Sequence, residues 1–188
     1  MRKLHLQMQM SLDGFVSTGP NDEQKWVTLV WSEIKAYVVG LLDTTDTILI
    51  GRKLAVDYIP HWQGVEKQPD DPFHGVAKRI CQARKVVFTK TLDRSEWQNT
   101  ELAKGELVDE VKNIKAQNGK DIIVYGGSSF VSALLKERLV DEFHFFINPV
   151  ALGKGIPVFS EMESWQALKL KKSVAYSCGL VLLNYELK

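Results

Sequence analysis

Three short segments of this chain join an apolar, strand-like run to a place where cations, hydroxyls or glycines gather. Ile50-Gly51-Arg52-Lys53 ends such a run on glycine and sets two cations where a helix would begin. The free amides of a helix N-terminus attract anions, and a guanidinium forks onto phosphate oxygens. A surface Arg-Lys pair is the alternative reading. Phe88-Thr89-Lys90-Thr91 ends a second run in hydroxyl, cation, hydroxyl, and fits equally a loop with one lysine. Tyr125-Gly126-Gly127-Ser128-Ser129 follows a third run. Its glycines let backbone approach a ligand closely, whereas a tight turn with a serine cap would need no ligand. Three junctions at the ends of three strands converge on one edge of an α/β sheet, the edge where ligands bind in open α/β folds. Anion recognition at three points fits a dinucleotide with an extra phosphate, such as NADPH, although spacing alone does not force the step from phosphate to dinucleotide.

Periodicity supplies the elements that must position these segments. Residues 3–10 alternate Leu4, Leu6, Met8 and Met10 against His5, Gln7 and Gln9, the period of a strand. Ser11-Leu12-Asp13-Gly14 breaks it, Phe15-Val16-Ser17 resumes extended structure, and Gly19-Pro20-Asn21-Asp22 turns. Trp31, Ile34, Val38, Leu41 and Leu42 fall at helical spacing over 31–43, with Ser32 as the N-cap. A strand at 46–51 leads to a helix over 52–59 that Pro60 stops, and the Pro- and Gly-bearing stretch 60–75 reads as a long loop of the functional or mobile kind. A short helix at 75–83, a strand at 85–89 and a helix through Leu107, Val111 and Ile114 follow. Next come a strand at 121–125, a helix at 130–139, a strand at 142–150 and a hairpin over 168–187 that turns at Ser177-Cys178-Gly179. Strands alternating with helices and closing in an antiparallel pair define an α/β fold, largely parallel with an antiparallel edge. Phe143, Phe145 and Phe146 occupy both faces of one strand and suit either a core or a dimer interface.

Composition bounds the function classes. The 188 residues, 45% hydrophobic and 25% charged, suit one globular domain over 1–188, and the net charge of +1 excludes a global electrostatic grip on nucleic acid or an anionic membrane. Cys81 and Cys178 form no Cys-x-x-Cys pair and fit a reducing compartment. Met1-Arg2-Lys3 mimics the start of a signal peptide, but a polar residue at every second position follows, so a cytoplasmic chain is expected. No P-loop, Gly-x-Gly-x-x-Gly, nucleophile elbow or His-x-x-x-His zinc pattern is present. His61 and His74 flank Asp70 and Asp71 and could together cage a metal; acidic loops with a histidine are common without one, and no metal is expected.

Further segments carry a family resemblance. With the three junctions they are Ser11-Leu12-Asp13-Gly14, Asp141-Glu142-Phe143, the run from Val150 through Gly153-Lys154-Gly155 to Phe159, and the closing Gly179 to Glu186. In this order, from residue 3 to 187, the chain resembles the dihydrofolate reductase-like superfamily. It is most similar to the C-terminal reductase domain of the bifunctional riboflavin-biosynthesis deaminase/reductase. The resemblance implies a three-layer α/β sandwich whose central, mostly parallel sheet has an antiparallel C-terminal edge and helices on both faces. It implies NADPH as cofactor, with Gly51, Arg52 and Lys53 at phosphate and Thr89 and Lys90 at the adenosine 2′-phosphate. The Gly126-Gly127 peptide, cis in that family, would face the pyrophosphate and nicotinamide with Ser128 and Ser129 beside it. Asp13 would contact substrate and assist protonation, an Asx-turn being its other use. Leu152, Gly153 and Gly155 would shape the substrate mouth, and Trp31 or Trp62 would stack on a flat heterocycle or pack the protein's own core. A homodimer is also implied.

Two departures matter. Leu54 stands where the family commonly has threonine, removing a hydroxyl that could meet phosphate, and no zinc-deaminase signature accompanies the chain. The expected activity is an NADPH-dependent reductase of a pyrimidine- or pterin-like heterocycle, like the uracil-intermediate reductase of riboflavin biosynthesis. A dihydrofolate reductase is the first alternative and would need Glu33, or another helix carboxylate, in the pocket. A nucleotide-binding module without turnover is the second.

Overall fold

The computed structural model describes residues 1–19, 22 and 24–188. They form two compact units, one of Met1–Lys3 with Lys35–Gly127 and one of Leu4–Ile34 with Ser128–Lys188. Of the turn expected at 19–22, Pro20 and Asn21 lie outside the described residues.

In the first unit four strands run parallel: β3 (Thr45–Gly51) lies between β4 (Arg84–Phe88) and β6 (Asp121–Val124), and β5 (Thr100–Ala103) pairs with β4. Ile48, Leu49 and Ile50 are at most 1% exposed, as are Ile122 to Val124, the apolar run of a strand covered on both faces. Helices α2 (Arg52–Glu66), α3 (His74–Gln82) and α4 (Leu107–Ala116) fill the crossovers. Lys85, buried at 2% exposure, closes the end of α3 by donating from Nζ to the carbonyls of Ile80, Cys81 and Ala83.

The stretch 60–75 is not a long loop, because α2 runs through Pro60 to Glu66. Proline inside a helix costs about 3 kcal/mol when it removes an interior hydrogen bond. Pro60 is exposed, so the carbonyl it leaves unpaired lies on the side of the helix that water reaches. On the other side Ala55 and Ile59 bury against Ile50 and Val87, with Leu54 and Tyr58 packed around them. Each large apolar side chain so buried contributes about 1.5–3 kcal/mol, enough to offset the proline. Only 67–73 remains between the helices, and Asp71 organises it by accepting from the Phe73 amide at 2.7 Å.

In the second unit β1 (Leu4–Ser11) pairs parallel with β7 (Glu142–Asn148), which pairs antiparallel with β10 (Val181–Leu187), itself antiparallel to β9 (Leu168–Ala175). A separate ladder joins β2 (Phe15–Ser17) to β8 (Ile156–Pro157). The expected hairpin turn is in place, with Gly179 at φ 87°. Parallel strands with an antiparallel C-terminal edge are the α/β class the sequence indicates.

Helix α1 (Trp31–Asp43) starts at Trp31, so Ser32 lies inside its first turn and is not the cap. Helix α5 (Ser128–Lys136) takes both serines as its first residues and ends before Leu139. Phe143, Phe145 and Phe146 are 1%, 5% and 0% exposed within this one chain, so they are core and offer no dimer surface. Strands β5 and β8 escape sequence reading: Thr-Glu-Leu-Ala has no clear alternation, and β8 is two residues long and contains a proline.

Candidate functional site

The first unit gathers its predicted residues at the C-terminal ends of β3, β4 and β6. Gly51 is the N-cap of α2 at φ −75° and ψ 145°, has no side-chain capping bond, and donates its amide to the Gly126 carbonyl at 3.1 Å. Arg52 and Lys53 open a helix with no acid in its first turn, and among the described residues neither is paired. The amides and positive dipole end of a helix N-terminus attract anions, and Arg52 and Lys53 add two cations to this first turn.

The peptide between Gly126 and Gly127 is cis, and Gly126 has φ 149°. A Cβ on Gly126 would meet Leu54 Cδ2 at 3.1 Å, whereas one on Gly127 would meet Leu54 Cβ at 3.9 Å, an ordinary contact. Leu54 therefore packs over the glycine pair. Gly126→Ala is expected to lower thermal stability by about 1–3 kcal/mol, through a disfavoured φ and crowding, and Gly127→Ala by less. Comparing the two unfolding midpoints checks this order.

Thr89 and Lys90 lie just beyond β4 and already hold the local backbone. Thr89 Oγ1 accepts from the amides of Thr91 and Leu92, both at 3.1 Å. Lys90 Nζ donates to the carbonyls of Lys104 and Gly105 at 3.0 and 3.1 Å, with its side chain 68% exposed. Tyr125 stacks on Tyr58 at 5.7 Å, Trp62 meets Tyr58 edge-on at 6.0 Å, and burial raises the pKa of both phenols. Trp62 thus belongs to an aromatic layer of α2.

The second unit gathers a different set at the C-terminal ends of parallel β1 and β7. The Asp13 carboxylate accepts from Ser11 Oγ at 2.6 Å, from the Leu152 amide at 3.1 Å and from the Gly153 amide at 2.7 Å. These bonds, Ser11's first and then those of the two amides, hold its pKa down at about 2. The carboxylate thus clamps the 150–153 turn and stays ionised at neutral pH, which suits positioning better than proton donation. Gly155 follows in close contact with β2, where a Cβ would fall 2.3 Å from the Ser17 carbonyl oxygen and 3.1 Å from Phe15 Cβ.

Trp31 opens α1, half-buried. Asn148, which sequence reasoning passed over, is fully buried at the end of β7 and accepts from the Thr28 amide at 2.7 Å. It donates to Gln9 Oε1, the Met10 carbonyl and the Phe146 carbonyl at 3.0–3.2 Å, tying the segment before α1 to both strands. An asparagine ending an aromatic strand was the available signal. Glu33 is engaged elsewhere: its carboxylate accepts from the Ser177 amide at 2.7 Å and the Ser177 hydroxyl at 2.8 Å, which lowers its pKa. Among the described residues the set His61, His74, Asp70 and Asp71 does not converge. No described helix is long and apolar enough to cross a membrane.

Parallel strands joined by helical crossovers, with an antiparallel C-terminal edge, define an α/β fold. The chain belongs to the RibD C-terminal domain family, whose model matches residues 2–182. It is 32% identical over 187 residues to the uncharacterized protein YyaP of Bacillus subtilis, covering 98% of this chain and 94% of that one. Among solved structures it is similar to a putative riboflavin biosynthesis protein from Shewanella sp. PV-4, with a TM-score of 0.75, 23% identity and 99% of each chain covered. It is also similar to the Thermotoga maritima diaminohydroxyphosphoribosylaminopyrimidine deaminase/5-amino-6-(5-phosphoribosylamino)uracil reductase. That TM-score is 0.71 at 19% identity, with 100% of this chain covered and 57% of that one. The fold is dihydrofolate reductase-like, and dihydrofolate reductase from Enterococcus faecalis shares it at a TM-score of 0.59 and 14% identity, with 99% of this chain and 96% of that one covered.

Proposed function

We propose that the chain is an NADPH-dependent reductase of a pyrimidine- or pterin-like heterocycle, a single functional domain working in the cytoplasm on chemistry of the riboflavin-biosynthesis type. The observation that carries this reading is the uncapped N-terminus of α2 with Gly51, Arg52 and Lys53 around it, beside the glycine pair. Those residues fit a dinucleotide: unpaired cations and free amides suit phosphate, and the space at Gly126 admits backbone without side chain. When bound, the nicotinamide supplies the hydride. Gly51, Arg52 and Lys53 would bind phosphate. On the substrate side Asp13 would orient the 150–155 loop, so that Leu152, Gly153 and Gly155 frame the heterocycle with Trp31 as a stacking face. Assembly as a homodimer follows from the family resemblance and is read by sedimentation. Oxidation of NADPH in the presence of a panel of aminopyrimidines and pterins tests the activity. Nucleotide binding without turnover on any of them would favour the binding-module reading. The dihydrofolate reductase reading would have to draw on a helix carboxylate other than Glu33, whose oxygens are taken by the β9–β10 turn.

Asp13→Asn turns an NH₂ toward an amide donor, so the loop loosens: KM for the heterocycle rises of the order of tenfold while NADPH affinity is unchanged. Because the Asp13 pKa is depressed from 3.8 to about 2, its contribution to stability is full above the unfolded value and is lost as pH falls through about 2. The neutral-range pH–rate profile therefore carries no Asp13 limb. Lys90→Ala should weaken NADPH more than NADH, but less than a change at Arg52 does, since Lys90 must leave two carbonyls to reach a phosphate. Equal losses for both nucleotides would remove Lys90 from the 2′-phosphate.

A further inference from the structure

A second group of chemistry-bearing side chains lies outside this site, inside the second unit. His5, Glu142 and His144 are 6%, 6% and 3% exposed, and their donor atoms all lie within 4.8 Å of one another. The register explains the meeting. His5 pairs with Glu142 across the parallel β1–β7 ladder, and His144 is two residues on, hence on the same face. His5 Nδ1 and His144 Nε2 are 3.0 Å apart, and His144 Nε2 is 3.8 Å from Glu142 Oε1. Around a tetrahedral zinc with Zn–N of about 2.0–2.1 Å, neighbouring donors lie about 3.3–3.4 Å apart, a value these two separations bracket.

Two further side chains fit an outer and a fourth position. Asn184 stands opposite His144 in the β10–β7 register and approaches both Glu142 Oε1, at 3.0 Å, and His144 Nδ1, at 3.3 Å. The bond from Asn184 Nδ2 to Glu142 is the kind of contact that orients a ligating carboxylate. Gln7 pairs with His144 on β1, so it shares the face, and its Oε1 is buried without a hydrogen-bond partner. A buried amide oxygen with no donor is costly, and a cation would satisfy it.

We infer that His5, Glu142 and His144, with Gln7 as the oxygen donor beside them, form a site for a first-row divalent cation of the zinc class. Two imidazoles, a carboxylate and an amide oxygen or water are a borderline donor set that suits zinc over magnesium or calcium. Lys171 is the built-in competitor: its Nζ lies 2.9 Å from Glu142 Oε2, and its side chain is 35% exposed, so it can swing outward to admit the ion. The site would tie β1 to β7 within the strand pair whose ends carry Asp13 and Asn148.

The test uses the full chain stripped with a chelator and titrated with Co²⁺, then Zn²⁺. The expected result is a visible d–d band that saturates at one equivalent and is bleached by Zn²⁺. It should tighten roughly tenfold in Lys171→Ala, the worth of one charge-assisted contact, and vanish in His144→Gln. Should His144→Gln not fold, ring-nitrogen NMR of the unmutated protein decides: Zn²⁺ should move the resonances of His5 and His144. No band in either the parent or Lys171→Ala, a band undiminished in a folded His144→Gln, or shifts confined to His61 and His74 would each overturn the inference.

Discussion

Gly155→Val is expected to give the largest structural effect of any single change on the substrate side. The new Cβ alone would sit 2.3 Å from the Ser17 carbonyl oxygen, which is backbone, and 3.1 Å from both Phe15 Cβ and Cγ. Neither neighbour is the free end of a flexible side chain, so the β2–β8 ladder, Phe15 to Pro157 and Ser17 to Ile156, must part. Overpacking of this kind costs about 1–3 kcal/mol where neighbours can shift, and more where backbone blocks the way. A drop of roughly 2–4 °C in the unfolding midpoint per kcal/mol is expected for a protein of this size. Loss of that ladder would also release the loop that Asp13 clamps, so turnover should fall further than stability. Thermal unfolding beside steady-state kinetics measures both, and a midpoint within a degree of the parent's would mean that the loop does not pack as described.

Arg52→Ala is expected to give the largest effect on the nucleotide side. Arg52 opens α2 at an N-terminus without a side-chain cap and among the described residues makes no hydrogen bond or ion pair, so its removal breaks none. A charge-assisted, potentially bidentate bond to phosphate contributes about 1.5–3 kcal/mol, a loss of roughly 10- to 150-fold in NADPH affinity. Arg52→Lys should recover part of it, since an ammonium keeps the charge but not the fork. The stability of the ligand-free protein should be unchanged, which separates this loss from a folding defect.

The contrast between these two variants also marks how far the sequence could be read. The residues at the ends of β3, β4 and β6 were legible because each falls where a short, β-branched apolar run stops at glycines or at a hydroxyl and a cation. Their convergence follows from parallel pairing of β3, β4 and β6, which the alternation of strands with helices implies. Local patterning could not show what holds those residues before any ligand arrives. That Lys90 grips the carbonyls of Lys104 and Gly105, and that Leu54 covers Gly126, are facts of tertiary packing. The continuation of α2 through Pro60 is a case where packing of Ala55 and Ile59 outweighs a local rule. Proline and glycine content over 60–75 points to a loop because local composition carries no measure of that burial. Asp13 was found by its Ser-Leu-Asp-Gly setting, but its three donors, two of them some 140 positions away, are visible only in the fold. Asn148 was missed for the same reason, being the hub of bonds to Thr28, Gln9 and Met10.

The central claim is that the strand ends of the first unit hold the phosphates of NADPH. Its most direct test is calorimetric titration of the purified chain with NADPH and with NADH, repeated on Arg52→Ala. Saturable binding of one nucleotide per chain is expected, tighter for NADPH than for NADH, and weakened about tenfold or more in the variant. Absence of binding by either nucleotide at millimolar concentration, or an affinity indifferent to Arg52, would contradict it.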